Sequence, residues 1–130
     1  MKNLSNIPAV QLTGEGILKY LVMELCPPSG NVVVRGGECY HVQSEILDDF
    51  AETLRKSGLT VLPDEIRPLG GGDIRIPYSF GRGVDNKEIT VRGQSTHYGP
   101  ARKADVERLL VPYLSRHYPK YAVRLEGPFL

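Results

Sequence analysis

The sequence has few of the features that would assign it to a membrane, disulfide-rich or nucleic-acid-binding class. No apolar run approaches the roughly 18 residues that a membrane-spanning helix needs. The two cysteines, Cys26 and Cys39, are not in a CxxC motif, which favours reduced thiols over a disulfide scaffold. Sixteen basic residues stand against fifteen acidic ones, for a formal net charge of +1. Such a balance creates no general field for nucleic acid or a membrane surface, so any anion site must be local.

Histidine is also scarce, and much of the functional argument depends on it. The chain has three histidines: His41, His97 and His117. Imidazole is the side chain whose charge ordinarily changes near neutral pH, which suits it to proton transfer. His117 is predicted at the end of a helix, where a cation is favourable in any case. His41 and His97 are therefore the two candidates for chemistry.

The rest of the composition is typical of one soluble globular domain. The 130 residues are 41% hydrophobic and 24% charged, and a chain of this length can bury a core of its own. The N-terminal segment MKNLSNIPAVQLTGEG carries one lysine and no apolar stretch, so we expect no secretory signal. We expect a single domain over residues 1–130. We further expect a cytoplasmic monomer that binds neither nucleic acid nor membrane.

The first half of the chain predicts a hairpin followed by a helix. Residues 19–25 (KYLVMEL) and 31–36 (NVVVRG) are β-prone runs separated by a short CPPSG segment, the pattern of two hairpin strands. Residues 44–57 form the clearest helical pattern, because their apolar residues make one stripe. Ser44 suits the N-cap position, and Gly58 suits the position after the helix.

The second half predicts further strands around a second helix. Residues 60–67 resemble a strand with a proline at its edge, and residues 69–88 contain three consecutive glycines and predict a flexible stretch. The remaining predicted elements are two strands, 88–92 and 121–126, and a helix, 101–117, that Pro112 should kink or restart. The order of elements predicts an α/β (α+β) fold, with a single mixed sheet of about six strands and two main helices packed on it.

The junction GQSTHYGPARK, residues 93–103, carries the strongest local signal for a binding site. A strand ends before it and a helix is predicted to begin near Pro100. Free backbone N–H groups and the positive end of the helix dipole would then face an anion, and Ser95 and Thr96 add hydroxyl donors. The alternative is an ordinary β–α loop that contains Ser and Gly because turns favour them.

The same junction resembles the signature of a known family. Ser95, the run Tyr98-Gly99-Pro100-Ala101 and Ala104 look like the signature of the protein histidine phosphatases of the Janus/Ocnus family. Further landmarks follow in the family's order: Lys19-Tyr20, Val34-Arg35-Gly36, Leu69-Gly70-Gly71-Gly72, Tyr118-Pro119 and Tyr121-x-Val123. The resemblance covers about residues 16–126 of this chain.

The resemblance implies a metal-independent enzyme that removes phosphate from phosphohistidine in proteins, with phospholysine as a second candidate substrate. In the family, a lysine on the first long strand contacts phosphate, which maps to Lys19. The serine before Tyr-Gly-Pro maps to Ser95, and the residue two further on, here His97, binds phosphate through its backbone amide. Arg35 lies near the site by the same resemblance, and Thr96 completes the candidate phosphate ligands. Catalysis uses a histidine in a Tyr-His pair directly before the first helix, without metal or another cofactor.

Two departures from the family pattern leave the catalytic residue open. Counting without gaps from the Val-Arg-Gly motif, the catalytic position holds Gln43, whereas the Tyr-His pair lies at positions 40–41. A shift of two residues along a strand moves a side chain by about 6.6 Å, so His41 reaches the site only if the segment bulges. Asp73 follows the triple glycine, where many members place an arginine. We take His41 as the catalytic candidate, with Gln43 as the alternative register and His97 as a replacement base.

Three other interpretations stay open at this point. A family member without catalytic power would bind phosphate, phosphoproteins or a partner protein, since glutamine cannot take a proton from water at neutral pH. Cys39, His41 and His97 could together ligate zinc, although no CxxC or HxxxH spacing supports such a site. A basic cluster could contact nucleic acid phosphate or form a solvated helix face. This cluster comprises Arg92, Arg102, Lys103 and Arg108.

Overall fold

The chain is built around one mixed β-sheet, seen in a computed structural model that describes residues 7–58, 63–77, 87–95 and 97–130. Within these residues the sheet has six strands in the order β1-β3-β2-β4-β5-β6. The strands are β1 (Val10–Thr13), β2 (Gly16–Leu25), β3 (Asn31–Gly37), β4 (Ile66–Ile76), β5 (Glu88–Arg92) and β6 (Ala122–Glu126). The inner pairs are antiparallel, while β1 pairs with β3 and β5 with β6 in parallel.

Two helical regions pack on this sheet. The first, α1, spans Gln43–Lys56. The second follows β5 and is continuous from residue 103 to 117; it is called the second helix below. It consists of α2 (Lys103–Asp105), a π-helical turn (Val106–Leu110) and α3 (Val111–His117). The predicted fold class, one mixed sheet with two main helices, is confirmed. Among the described residues, no helix is long and apolar enough to cross a membrane.

Each face of the sheet has its own hydrophobic core. The face under the second helix buries Leu18, Tyr20, Val22, Leu110 and Leu114, among others. The face under α1 buries the intervening residues of β2 with one stripe of the helix: Leu21, Met23, Leu25, Ile46, Phe50 and Leu54. Successive strand residues point to opposite faces, so Lys19 lies on the same face as α1. This surface is called the α1 face below.

The start of α1 differs from the prediction by one residue. The helix begins at Gln43, and Val42 instead of Ser44 occupies the N-cap position. The reason is Glu45, whose carboxylate accepts hydrogen bonds from the N–H groups of His41 at 2.7 Å and Val42 at 3.0 Å. A valine side chain can neither donate nor accept, so the Glu45 carboxylate satisfies the amides at this end of the helix.

The triple glycine lies inside a central strand, not in the flexible stretch predicted for residues 69–88. β4 runs through all three glycines and pairs with β2 on one side and β5 on the other. A Cβ added at Gly72 would overlap the carbonyl oxygen of Arg92, and one at Gly70 would overlap that of Pro100. The glycines therefore permit a close approach of the backbone that connects β5 to the second helix.

The second helix starts later than predicted. It begins at Lys103, whereas Pro100 forms a parallel bridge with Gly71 of β4. The first amide of the helix is already bonded, because the N–H of Lys103 donates to the carbonyl of Leu130 at 3.1 Å. The interruption predicted at Pro112 takes the form of the π turn just before it, and the proline then lies in the first turn of α3, where its missing N–H costs little.

The remaining comparisons between predicted and observed elements concern single strands. The predicted hairpin is confirmed as β2–β3, and the last two predicted strands are confirmed as β5 and β6. Strand β1 is not predicted from the sequence, because four residues are too few for a clear alternation of apolar and polar side chains. Instead of the strand predicted at 60–67, a 3-10 turn (Pro63–Glu65) leads into β4. Residues 59–62, and residues 78–86 of the predicted flexible stretch, lie outside the described residues.

Candidate functional site

The start of α1 and the connection between β5 and α2 meet over the triple glycine of β4. This meeting point is called the glycine junction below. Gln43 is only 5% exposed, and its Nε2 donates a hydrogen bond to the carbonyl of Gly72 at 3.1 Å. From the other side, the carbonyl of Gly99 accepts from the N–H of Gly71 at 3.1 Å. A Cβ added at Gly71 would lie 3.4 Å from Cγ of Gln43. Two segments far apart in the sequence therefore meet at one point of the sheet.

Ser95 lies buried in the connection that crosses the glycine junction. Its side-chain oxygen accepts a hydrogen bond from the N–H of Tyr98 at 3.3 Å, and its carbonyl accepts from the N–H of Gly99 at 3.2 Å. These bonds hold the backbone of Tyr98 and Gly99 against Ser95. Tyr98 packs against the core of the α1 face, which anchors the connection there. A serine hydroxyl that accepts one bond can still donate its own proton.

Lys19 brings a positive charge to the same part of the sheet. It is half-buried on β2 and directly precedes Tyr20, the Cα partner of Gly72. Lys19, Gln43 and Ser95 are therefore held around one stretch of β4. An anion bound there would meet an ammonium group, a side-chain amide and a hydroxyl, all of which can donate hydrogen bonds.

A row of charged side chains crosses the α1 face beside the glycine junction. Its members are successive Cα partners on four strands: Lys19, Asp73, Arg92 and Glu126. Their charges alternate in sign. Nη2 of Arg92 lies 3.0 Å from Oε1 of Glu126. In contrast, Oδ1 of Asp73 and Nε of Arg92 are buried without a hydrogen-bond partner in the part of the chain that the structure describes.

His41 lies outside this arrangement. Its side chain is exposed, two residues before the buried Gln43. Tyr40, the other member of the Tyr-His pair, is fixed to α1, because its hydroxyl donates to Asp49 at 2.8 Å. Burial and this hydrogen bond raise the pKa of Tyr40. The turn before α1 therefore presents Gln43, and not His41, to the glycine junction.

The remaining candidate residues are the other two histidines and Thr96. His97 is exposed, and its ring centroid lies 6.2 Å from that of Tyr98. Thr96 lies outside the described residues. His117 stacks on Tyr113 at the end of α3, with Nδ1 2.9 Å from the Tyr113 carbonyl oxygen. His97 thus stays beside Ser95 as a candidate ligand, whereas His117 has local contacts only.

Arg35 lies on the α1 face, but its guanidinium group has other partners. Nη2 donates to the carbonyl of Pro8 at 2.8 Å, and the guanidinium carbon lies 4.9 Å from the centre of the Phe50 ring. Burial lowers the pKa of Arg35 to about 10, so it stays cationic at neutral pH. It borders a cavity of about 110 Å³ between β1, β3 and α1. Ser95, in contrast, lies over β4, two strands away from β3.

The residues proposed for zinc do not form a metal site. In the described ranges, which include Cys39, His41 and His97, no three His, Cys, Asp or Glu side chains come together as metal ligands. The chemistry available at the glycine junction is instead that of cations and N–H or O–H donors. Such groups can stabilise the charge of a phosphoryl group without a metal.

The basic cluster is largely neutralised by acidic neighbours. Nε of Arg102 donates to Asp105 at 2.6 Å, and Nη2 of Arg108 lies 3.4 Å from the same carboxylate. Arg92 contacts Glu126 on the neighbouring strand. These ion pairs favour a solvated and internally paired helix face over a surface for nucleic acid.

Comparison with known proteins agrees with the motifs at the glycine junction. A family model described as the Janus/Ocnus family matches residues 4–122, which is most of the chain. The chain belongs to the Janus/Ocnus family. The resemblance inferred from Lys19, the triple glycine and Ser95 is thereby confirmed at the level of the family.

Three relatives align with most of the chain. The human 14 kDa phosphohistidine phosphatase is 29% identical over 129 residues, which cover 93% of this chain and 91% of the relative. The pig protein of the same name is 26% identical, with 93% and 90% covered. The sex-regulated protein janus-A of Drosophila pseudoobscura pseudoobscura is 30% identical over 118 residues, with 85% and 71% covered. Their names describe different roles, so membership alone does not assign an activity to this chain.

Sequence reasoning undervalued Gln43 and missed the charged row. The buried stripe of α1 extends back by helical spacing from Ile46 to Gln43, so periodicity could have placed Gln43 on the core side. No local pattern pairs Asp73 with Arg92, because that pairing depends on the register between β4 and β5.

Proposed function

We propose that this protein binds phosphohistidine in phosphoproteins at the glycine junction, without a metal, and that it hydrolyses the bound group slowly. Lys19, Ser95 and the backbone amide of His97 hold the phosphoryl oxygens. The observation that carries the proposal is Gln43, buried at the start of α1 where the family resemblance implies a catalytic histidine. A glutamine amide can orient a water molecule but cannot take its proton at neutral pH.

The chemistry of the donors supports phosphate as the ligand. An ammonium group supplies charge, while a hydroxyl and backbone amides supply direction, and together they replace a metal at the phosphoryl oxygens. Two relatives named phosphohistidine phosphatase support an N-phosphorylated side chain as the natural ligand. Phospholysine is a second candidate because it presents the same phosphoryl group on nitrogen. The proposed partners are cytoplasmic proteins that carry such groups.

Full phosphatase activity is the second candidate function. The observation that favours it is the retained Tyr40-His41 pair, together with the names of the human and pig relatives. In that case His41 takes a proton from the water that attacks phosphorus, the P–N bond breaks, and its electron pair stays on nitrogen, which is then protonated. This function requires the turn before α1 to rearrange so that the exposed His41 replaces Gln43.

Ligand-dependent stabilisation tests the phosphate site without requiring turnover. A ligand that binds only the folded state raises stability by RT ln(1 + [L]/Kd). Millimolar phosphate should raise the Tm of the wild type, and Lys19→Ala or Ser95→Ala should remove most of that rise. Arg116→Gln, which removes an exposed positive charge near the end of α3 on the opposite face of the sheet, is the control and should keep it. A wild-type Tm that does not respond to phosphate would contradict the proposal.

A further inference from the structure

Two neighbouring residues of the charged row each bury one side-chain atom, and these two atoms have opposite hydrogen-bonding character. Oδ1 of Asp73 can only accept when the carboxylate is ionised, and Nε of Arg92 can only donate. Neither has a partner among the described residues, although Asp73 and Arg92 are Cα partners on β4 and β5. Buried polar atoms without partners reduce the stability of a fold, so one donor and one acceptor of this kind on neighbouring residues call for an explanation.

Arg92 keeps binding capacity beyond the contact it already makes. Its Nη2 contacts Glu126, but a guanidinium group carries five N–H donors in a planar fork. Its side chain is 38% exposed, and Asp73 is half-buried. A rotation of the Arg92 side chain can therefore open both buried atoms to a ligand from solvent, on the face where Lys19 also lies.

On the basis of the proposed function, we infer that Asp73 and Arg92 select N-phosphorylated side chains over O-phosphorylated ones. Nε of Arg92 donates to a phosphoryl oxygen, and Oδ1 of Asp73 accepts a hydrogen from nitrogen of the bound side chain. In phosphohistidine the second ring nitrogen carries this hydrogen when the ring is protonated, a form that the Asp73 carboxylate favours. In phospholysine the hydrogen is on the bridging nitrogen. A fully ionised O-phosphate monoester has no hydrogen on its phosphate group to offer.

The negative charge of Asp73 also contributes to the selection between ligands. The carboxylate of Asp73 repels an incoming phosphate. The guanidinium group of Arg92, on the neighbouring strand, restores a cation beside that position. The repulsion weakens the binding of every anion, but a ligand that donates an N–H to Asp73 gains a hydrogen bond that offsets this lost binding energy. A repulsive group of this kind is a recognised source of specificity.

Two small ligands test this inference. Phosphoramidate carries N–H hydrogens, whereas methyl phosphate at pH 8 is fully ionised and has none to donate, since such monoesters lose their last proton near pH 6. Dissociation constants are measured by calorimetry for the wild type, Asp73→Asn, Arg92→Gln and the control Arg116→Gln. The wild type should bind phosphoramidate about tenfold more tightly than methyl phosphate, because a hydrogen bond to a charged group is replaced by repulsion.

The variants should separate the two roles. Asp73→Asn should lose most of the preference, chiefly by binding methyl phosphate more tightly. Arg92→Gln should weaken both ligands by about tenfold, as expected for a lost charge-assisted contact. Arg116→Gln should behave like the wild type, because Arg116 is exposed near the end of α3 on the opposite face of the sheet.

The outcomes distinguish this inference from the proposed function. Equal wild-type affinity for the two ligands, or a preference that Asp73→Asn leaves unchanged, would overturn the inference while the phosphate site stands. Failure of the wild type to bind either ligand would contradict the proposed function itself. The preference of the wild type for phosphoramidate over methyl phosphate is measured without any variant. The inference therefore remains testable even where a substitution prevents folding.

Discussion

Gln43 and Arg35 are both polar residues on the α1 face, yet their surroundings give them different roles. Gln43 is buried against the glycine junction and donates to Gly72. Arg35 donates to Pro8 and lies over Phe50, which is two turns further along α1. The first residue can act on a ligand at the junction, whereas the second ties the segment before β1 to β3 and α1.

Replacing Arg35 should therefore affect stability more than phosphate binding. Arg35→Ala removes a charged hydrogen bond and a cation–π contact, so the free energy of unfolding should fall by about 1–3 kcal/mol. Denaturant unfolding measures this loss, and the rise in Tm with phosphate should remain. Arg35→Lys should restore little, because an ammonium group does not reproduce the planar fork. Unchanged stability with loss of the phosphate effect would instead place Arg35 in the phosphate site.

At the residue scale, the sequence shows which hydrogen-bond donors are available better than it shows where they lie in the fold. Lys19 and Ser95 are recognisable from motifs, and the structure holds both near the glycine junction. The placement of Gln43 ahead of His41 depends on the Glu45 carboxylate, which fixes where α1 begins. A bond between a side chain and two backbone amides is not visible in a pattern of apolar spacing.

At the scale of elements, the start of α1 should show a defined dependence on pH. Hydrogen bonds from the His41 and Val42 amides lower the pKa of Glu45 from its ordinary value of 4.5. An acid whose pKa is lower in the folded state stabilises the fold above its ordinary pKa, and this stabilisation is lost as pH falls through the lowered value. Glu45→Ala should thus lower the Tm by a few degrees at pH 7 and by progressively less below about pH 4.

Thermal unfolding across this pH range checks the prediction. Asp48→Ala, which removes an exposed acid one turn further along α1, is the control and should change the Tm less. A deficit in Glu45→Ala that is the same at pH 7 and pH 3 would show that the carboxylate does not cap the helix.

The glycine junction should be intolerant of side chains. A Cβ at residue 72 would overlap backbone atoms of Arg92 and Gln94, so Gly72→Ala should lower the free energy of unfolding by about 3 kcal/mol. Gly127 is exposed, and a Cβ there would meet nothing closer than 3.7 Å. Gly127→Ala is therefore the matched control and should change stability little. Denaturant unfolding that finds equal stability for both variants would show that β4 and the connection are not in contact.

The elements also show where sequence patterns are sufficient. β2, β3, α1, β5 and β6 have strong apolar periodicity, and their positions follow from it. β4 does not, because three glycines suggest flexibility unless the backbone packed against them is known. The register that aligns the charged row is likewise a property of strand pairing and not of any single segment.

At the scale of the whole molecule, phosphate binding should be independent of metal. The cations and donors around the glycine junction supply the charge that a metal would otherwise provide. EDTA should leave the phosphate-dependent rise in Tm unchanged. Loss of the rise in EDTA, restored by added zinc, would revive the zinc alternative built on Cys39, His41 and His97.

The overall fold was the part of the account that sequence predicted best. Element order and the family resemblance together indicate a mixed sheet between two helices, which the structure confirms. They do not determine which residue faces the glycine junction, since a shift of two residues at one helix start exchanges a histidine for a glutamine. Under the proposed function, that exchange distinguishes a fast phosphatase from a binding protein with slow turnover.

Hydrolysis of a phosphohistidine-bearing protein at neutral pH tests this central claim most directly. The rate is measured for the wild type, Gln43→His and His41→Ala, with the phosphate-dependent Tm rise as a check that each variant keeps its site. We predict slow wild-type turnover, no loss in His41→Ala and a gain of about a hundredfold in Gln43→His, because a general base typically contributes at least that factor. Brisk wild-type turnover that His41→Ala abolishes would contradict the account.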